Sequence, residues 1–182
     1  MKETEILERG GVILYPTDTI WGLGCDATNR QAIERIIRIK GRPKNKSLII
    51  LVKDTGMLSD YVESIPEKAL ELMRTSLKPL TIIYPRAKNL PTDLLSNDGS
   101  IGIRVVGHKY CQRILSELKR PIVSTSANIS GEESPKNYSQ ISPRIMEEVD
   151  YISMEEREDK AEHQASSVIR ITVEGDVDVI RE

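Results

Sequence analysis

The sequence predicts an α/β fold: a single domain built on a twisted, open, mixed β-sheet with flanking helices. Three observations lead there. Helix-like and strand-like periodicities alternate through the first half of the chain. Later, strand-like runs turn directly into one another, which brings antiparallel neighbours into the sheet. Runs such as VILY at 12–15 and LIILV at 48–52 are apolar throughout, as in strands buried on both faces. With 182 residues and no internal repeat, low-complexity tract or linker, residues 1–182 are expected to form one domain.

Residues 2–10 read as a short charged helix ended by Gly10 and Gly11, and Pro16 stops the first strand. TNRQ at 28–31 reads as a capping box. It opens an amphipathic helix over 29–40, with Ala32, Ile33, Ile36 and Ile37 at helical spacing. Gly41 permits a left-handed exit and Pro43 prevents continuation. After the second strand, Pro66 opens a helix running to Thr75, with Ala69, Leu70 and Met73 inward. A third strand over 79–84 is closed by Pro85, and residues 86–99 form a loop with a turn at Asn97, Asp98 and Gly99.

Residues 100–105 alternate like a strand with one face open. Ser100, Gly102 and Arg104 share that face, and Ile101, Ile103 and Val105 share the other. Residues 108–119 form a helix with Cys111, Ile114, Leu115 and Leu118 inward, which makes Cys111 a core residue rather than a nucleophile. A short buried strand covers 121–124. Ser142 and Pro143 start a helix to Glu148, residues 149–153 suggest a strand, and 155–164 are a polar loop. The runs 167–173 and 177–181 read as a hairpin around Glu174 and Gly175.

Composition narrows the function. The formal net charge is -2, with 38% hydrophobic and 30% charged residues. No apolar run approaches the roughly 20 residues of a membrane span. The first ten residues are too charged for a signal peptide, so a cytoplasmic location is expected. Cys25 and Cys111 are far apart, which argues for free buried thiols over a disulfide scaffold. Two histidines, His108 and His163, and no CxxC pair argue against structural zinc. With no Phe and one Trp, the chain is poorly equipped to stack single-stranded bases, although a local basic face stays open.

Three segments carry the chemistry. KGRPKNKSL at 40–48 places Lys40, Arg42, Lys44 and Lys46 between a helix and a strand, where a phosphate chain could be received. On its own it would be a solvated basic loop, and the helix dipole favours Lys40 at its position even without function. YPTDT at 15–19 puts hydroxyls and a carboxylate at the carboxyl end of the first strand, where open α/β sheets hold ligands. Gly22 and Gly24 follow and let the backbone turn closely, without forming a GxGxxG fingerprint or a Walker A motif. STSANISG at 124–131, continuing to Ser134, offers hydroxyls, an amide and backbone N–H groups, a neutral cradle for phosphates or a nucleoside. Arg104 in mid-strand calls for a carboxylate or phosphate partner, with a structural salt bridge an equal alternative.

With these pieces the chain resembles the YrdC/TsaC family of threonylcarbamoyl-AMP synthases. The matching segments are YPTDTIWGLG (15–24), KGRPKNKSL (40–48), PLTIIYP (79–85), SIGIRV (100–105), STSANISG (124–131), SSVI (166–169) and VIR (179–181). They cover nearly the whole chain in the family's order. The related YciO type shares the first strand and lacks the SxN pattern, whereas this sequence keeps KxR as Lys40 and Arg42 and SxN as Ser126 and Asn128.

The resemblance implies a nucleotidyltransferase that makes L-threonylcarbamoyladenylate and pyrophosphate from L-threonine, bicarbonate and ATP, for modification of adenosine 37 in tRNA. It implies catalytic roles for Lys40, Arg42, Ser126 and Asn128. It assigns ATP to Arg42, Lys46, Ser100, Ser126, Ser134 and Arg181, and threonine to Thr19, Arg104, Ser124 and Ser166. Magnesium would accompany ATP without a dedicated protein metal site, because Asp18 is the only acid inside the motifs. Partners implied are the downstream tRNA threonylcarbamoyl transferase machinery and a possible tRNA or double-stranded RNA contact. The alternatives are an RNA-binding module and a YciO-like paralog with an altered substrate.

Four departures from the family pattern stand out: Ser47 for Pro, Lys78 for Gly, Val106-Gly107 where Pro is common, and Arg170 for a frequent Asp. The chain is also expected to lack the second domain of longer members.

Overall fold

The computed structural model describes residues 2–41 and 48–182. The first helix, α1 (Lys2–Glu8), ends where Gly10 takes φ +80°. Strand β1 (Ile13–Tyr15) is buried at every position. It turns back into a strand that the sequence reading took for a turn, β2 (Gly22–Gly24), paired antiparallel with it. The glycines hid this strand, and close packing requires them. A Cβ on Gly24 would lie 2.5 Å from the Tyr15 ring and 2.8 Å from the Val123 carbonyl oxygen.

Helix α2 (Arg30–Ile39) buries Ala32, Ile33, Ile36 and Ile39. Its cap lies one residue later than the capping box predicts. Asn29 is the N-cap and accepts from the Ala32 N–H, while Thr28 bonds to Asp26 instead. Lys40 is the C-cap, and Gly41 takes the expected left-handed conformation at φ +57°. Beyond residues 42–47, β3 (Ile49–Val52) leads into a short helix the periodicity did not reveal, α3 (Thr55–Ser59), capped by Asp54. Helix α4 (Glu67–Thr75) follows Pro66, but only Ala69 is fully buried, with Leu70 and Met73 half-buried.

Then come β4 (Leu80–Tyr84), β5 (Ile101–Val105), α5 (Lys109–Leu118), β6 (Ile122–Ser126), α6 (Pro143–Glu148), β7 (Tyr151–Ile152), β8 (Ser167–Ile171) and β9 (Val177–Arg181). The described strands form one sheet in the order β7-β1-β2-β6-β3-β5-β4-β8-β9. Three of its pairings are parallel, β1 with β7, β3 with β5 and β4 with β8, and the rest antiparallel, so the sheet is mixed as predicted.

Strand β5 corrects one expectation. It sits in the sheet interior between β3 and β4, and Ile101 through Arg104 are all buried. Neither of its faces is open there. Strand β6 also runs two residues further than expected, so Ser124 and Ser126 are held by a ladder rather than by a loose turn.

Cores lie on both faces of the sheet. On one, Leu23, Ile50, Ile103 and Val123 pack with Ile33 and Ile36 of α2. On the other, Ile13, Tyr15, Leu51 and Ile122 pack with Leu7 of α1 and Tyr110, Ile114 and Leu115 of α5. Each fully buried aliphatic side chain contributes roughly 1.5–3 kcal/mol. Register decides what else lies on that second face. Cross-strand partners share a face, so Ser124, Ile49 and Gly102 form one row and Ile122, Leu51 and Arg104 the next. Row two carries Arg104 into the same layer as Ser124.

Candidate functional site

A cavity of about 190 Å³ opens on this face. Among its lining residues are Thr19, Arg104, Ser124, Ser126, Ser134, Ser166 and Arg181, all expected at the site from sequence. They come from the β1–β2 turn, β5, β6, the segment after β6, and the β8–β9 edge. All four residues expected at threonine are therefore together, with three of those expected at ATP.

Their hydrogen bonds set what each can offer. The Thr17 hydroxyl donates to the Ile20 carbonyl (2.9 Å) and accepts from the Thr19 N–H (3.0 Å). With its proton committed to Ile20, it can only accept from the Thr19 hydroxyl at 2.9 Å. Thr19 thus presents lone pairs, an acceptor for an amine or hydroxyl. Ser166 is buried, and its hydroxyl lies 2.8 Å from that of Thr81, a fully buried polar residue the sequence reading passed over. Arg181 donates through Nε (3.0 Å) and Nη2 (2.8 Å) to the Ser166 carbonyl, so the β8–β9 edge closes onto the cavity wall. Ser166, rather than Ser167, lines the cavity.

Arg104 is 3% exposed. Its Nη2 lies 3.2 Å from Oδ1 of Asp18, an ion pair without hydrogen-bond geometry, since Asp18 Oδ1 and Arg104 Nε are both buried and lack hydrogen-bond partners. The Gly107 N–H donates to the other carboxylate oxygen at 3.4 Å, a bond that proline at this position could not make. Asp18 thus ties the turn carrying Thr19 to the strand carrying Arg104.

Gly22, opposite Ser126, also lines the cavity, and a Cβ there would lie 3.2 Å from the Ser124 hydroxyl oxygen. Its lack of a side chain keeps that hydroxyl accessible.

Other expected residues lie elsewhere. Ser100 does not line the cavity. It is 2% exposed, and its hydroxyl and N–H both donate to Asp98 Oδ1 (2.6 and 3.0 Å), closing the turn before β5. The Ser100 bonds and the Arg170 guanidinium, 2.8 Å from Asp98, hold that carboxyl down at about 2. This contact is the role the fold gives Arg170. Lys40 is buried, and its ammonium donates to the carbonyls of Ser126 (2.5 Å) and Asn128 (2.6 Å). Asn128 spends its amide N–H groups on the carbonyls of Ile129 (3.0 Å) and Glu132 (2.8 Å), leaving Oδ1 buried without a hydrogen-bond partner. It therefore offers an acceptor, where the sequence suggested a donor. Arg42, Lys46 and Ser47 lie outside the described residues, although Leu48, next in the chain, lines the cavity.

Lys78 belongs to a second cavity of about 530 Å³, lined also by Leu70, Met73, Val105 and Asp18, and it adds no charge to the first. Burial pushes the thiols of Cys25 and Cys111 far above the usual range, so Cys111 is inert core, as expected. Among the described residues no group of three or more His, Cys, Asp or Glu could hold a metal ion, and no helix is long and apolar enough to cross a membrane.

The cavity can be compared with known proteins. The Sua5/YciO/YrdC family model, described as "Telomere recombination", matches residues 5–182. A threonylcarbamoyl-AMP synthase of Pseudoalteromonas translucida is 38% identical over 148 residues, covering 80% of this chain and 79% of the relative. One from Vibrio vulnificus is 34% identical over 149 residues, 80% of each chain. Among solved structures, E. coli YciO is 30% identical with a TM-score of 0.82, covering 100% of this chain and 87% of that one. P. abyssi Sua5 complexed with L-threonine is 26% identical with a TM-score of 0.82, covering 93% of this chain. This chain spans about half the length of that Sua5 chain, 50%. The chain belongs to the Sua5/YciO/YrdC family.

Proposed function

We propose that this protein is an L-threonylcarbamoyladenylate synthase, with 1–182 acting as one domain. It joins L-threonine, bicarbonate and ATP, releases pyrophosphate, and supplies the adenylate for tRNA N6-threonylcarbamoyladenosine formation. The observation that carries this reading is the gathering of Thr19, Arg104, Ser124 and Ser166 around one cavity, beside Ser126, Ser134 and Arg181. The names of the synthase relatives and the threonine-bound Sua5 chain support it.

The chemistry follows from the groups present. The Arg104 guanidinium, already held by Asp18, takes the threonine carboxylate, and the Thr19 lone pairs take its amine or hydroxyl. The amine adds to carbon dioxide with loss of a proton, or to bicarbonate with loss of water, to give a carbamate. A carbamate oxygen attacks the α-phosphorus, and pyrophosphate leaves with the bonding electrons. Negative charge builds on the phosphoryl and leaving oxygens, where fixed cations and donors stabilise the transition state most. Arg42 and Lys46 supply that charge, Ser126 and Ser134 supply hydroxyls, and the shared cavity supplies proximity. Ser100 acts through the turn it closes, without touching nucleotide. No protein nucleophile is required.

Magnesium accompanies ATP rather than residing in the protein. The Asp18 carboxylate is engaged by Arg104, and Asn128 Oδ1 is the hard oxygen left without a partner beside the serine loop. When bound, the ion neutralises phosphate charge.

The protein acts in the cytoplasm, and its product passes to the threonylcarbamoyl transferase machinery, with tRNA or double-stranded RNA as a further contact. The test is pyrophosphate release by purified protein with magnesium, requiring both L-threonine and bicarbonate. No release above background would sink the proposal. The match to YciO over all of this chain and 87% of that one favours one competitor, a paralog using another amino acid, and turnover with serine exceeding that with threonine would establish it.

A further inference from the structure

We infer that Lys40 is a positioning residue for the Ser126–Asn128 loop rather than a ligand of the ATP phosphates. The inference rests on the synthase reading above.

The ammonium of Lys40 sits at the end of α2, 2% exposed, and does not line the cavity. It donates to two carbonyls from the chain that leaves β6, Ser126 at 2.5 Å and Asn128 at 2.6 Å. The tie is reciprocal, because the Ser130 N–H donates to the Lys40 carbonyl at 2.8 Å. Around it the loop bonds to itself and to the turn that precedes β2. The Asn128 N–H reaches the Ser126 carbonyl (2.9 Å), and the Ala127 N–H reaches the Trp21 carbonyl (3.2 Å).

This arrangement does something a cation aimed at phosphate could not. A carbonyl oxygen facing the cavity would repel a phosphate oxygen. Lys40 draws two such carbonyls inward, to a buried point behind the serine loop. Peptide planarity then acts on the other side of the bond. With the Asn128 carbonyl turned to Lys40, the N–H of the following residue, Ile129, points to the opposite side of that peptide. This N–H has no hydrogen-bond partner among the described residues. Lys40 therefore fixes two acceptors inward and leaves one backbone donor, the Ile129 N–H, on the opposite side before any nucleotide arrives. That is preorganisation of an anion cradle.

The experiment compares wild type, Lys40→Met and Lys40→Arg. Amide hydrogen exchange without ligand reads the loop, calorimetry with a non-hydrolysable ATP analogue reads binding, and adenylate formation reads turnover. We expect the amides of Ala127, Asn128 and Ser130 to exchange at least tenfold faster in Lys40→Met. Analogue affinity should stay within threefold of wild type, and turnover should fall a hundredfold or more. Lys40→Arg should not rescue turnover, because a flat guanidinium cannot replace a point donor between two carbonyls. Unchanged exchange together with a tenfold or greater loss of affinity would overturn the inference.

Should Lys40→Met not fold, the wild-type ammonium proton resonances decide. They should be protected without nucleotide and should not shift when the analogue binds, and a shift refutes the assignment. If wild type makes no adenylate, the synthase reading fails, while loop exchange still tests the role of Lys40.

Discussion

Replacing Arg104 by Gln separates what that side chain does for the fold from what it does for the substrate. The guanidinium lies 3.2 Å from the Asp18 carboxylate, with side-chain exposures of 3% and 18%. At an effective dielectric of about 20 the attraction is about 5 kcal/mol, most of it offset by desolvation. Removing one partner of a buried pair strands the other and costs about 3–5 kcal/mol. Partial exposure of Asp18 puts the expected loss near the low end, about 3 kcal/mol, or a fall in Tm of about 6–12 °C for a chain of this size. Adding Asp18→Asn removes the stranded charge, and the double variant should recover at least half of the lost stability. Threonine binding should behave differently. Loss of a charge-assisted carboxylate contact of about 2 kcal/mol or more weakens it at least about 30-fold, in the single and double variants alike. Thermal melts and titration calorimetry with L-threonine give both readouts. If the double variant regains wild-type affinity for threonine, Arg104 does not receive the carboxylate and the site as drawn is wrong.

Three further outcomes are expected. Gly24→Ala forces a Cβ to 2.5 Å from Tyr15 and 2.8 Å from the Val123 carbonyl oxygen, and should cost about 1–3 kcal/mol by overpacking, read in a urea melt. Ser100→Ala should lower stability by about 1 kcal/mol through the lost turn while leaving the KM for ATP within twofold, and a tenfold rise would return Ser100 to the nucleotide site. The Asp98 carboxyl is held down at about 2 by Ser100 and Arg170. Its contribution is present above the ordinary carboxylate range, near pH 4, and is lost as the pH falls toward 2. Because the pair is half exposed, screening limits the part due to Arg170 to well under 1 kcal/mol. Arg170→Ala should therefore destabilise slightly at pH 7 and progressively less as the pH falls through about 2.

Much of the fold was legible because its signals are local. Apolar runs marked β1 and β3, and 3.6-residue spacing marked α2 and α5. The β8–β9 hairpin showed its turn at Gly175, which takes φ +96°. Strand β2 stayed hidden because Gly22 and Gly24 have little strand propensity of their own, and their place is set by what packs against them. The open face expected for β5 was wrong for a similar reason. Alternation of Ser100, Gly102 and Arg104 with apolar residues mimics a solvated edge, but here that row is buried, and its Arg104 lines the cavity.

The site divides along the same boundary. By itself the sequence determined which residue types are available: hydroxyls at Thr19, Ser124, Ser126 and Ser166, Arg104 in mid-strand, and cations after α2. Only the tertiary structure decided how each is used, because a polar group's role depends on the partner that claims its protons or lone pairs. The sequence shows Lys40 only as a cation after a helix, and the structure puts the carbonyls of Ser126 and Asn128 on its ammonium. The sequence shows Ser100 only as a hydroxyl and Asp18 only as a carboxylate, and the structure puts Asp98 on the first and Arg104 beside the second. Asp98 lies only two residues before Ser100, but the partners of Lys40 lie as far as 88 residues away in the chain, and those of Lys40 and Asp18 are brought together only when the sheet assembles in its register, which no local pattern encodes.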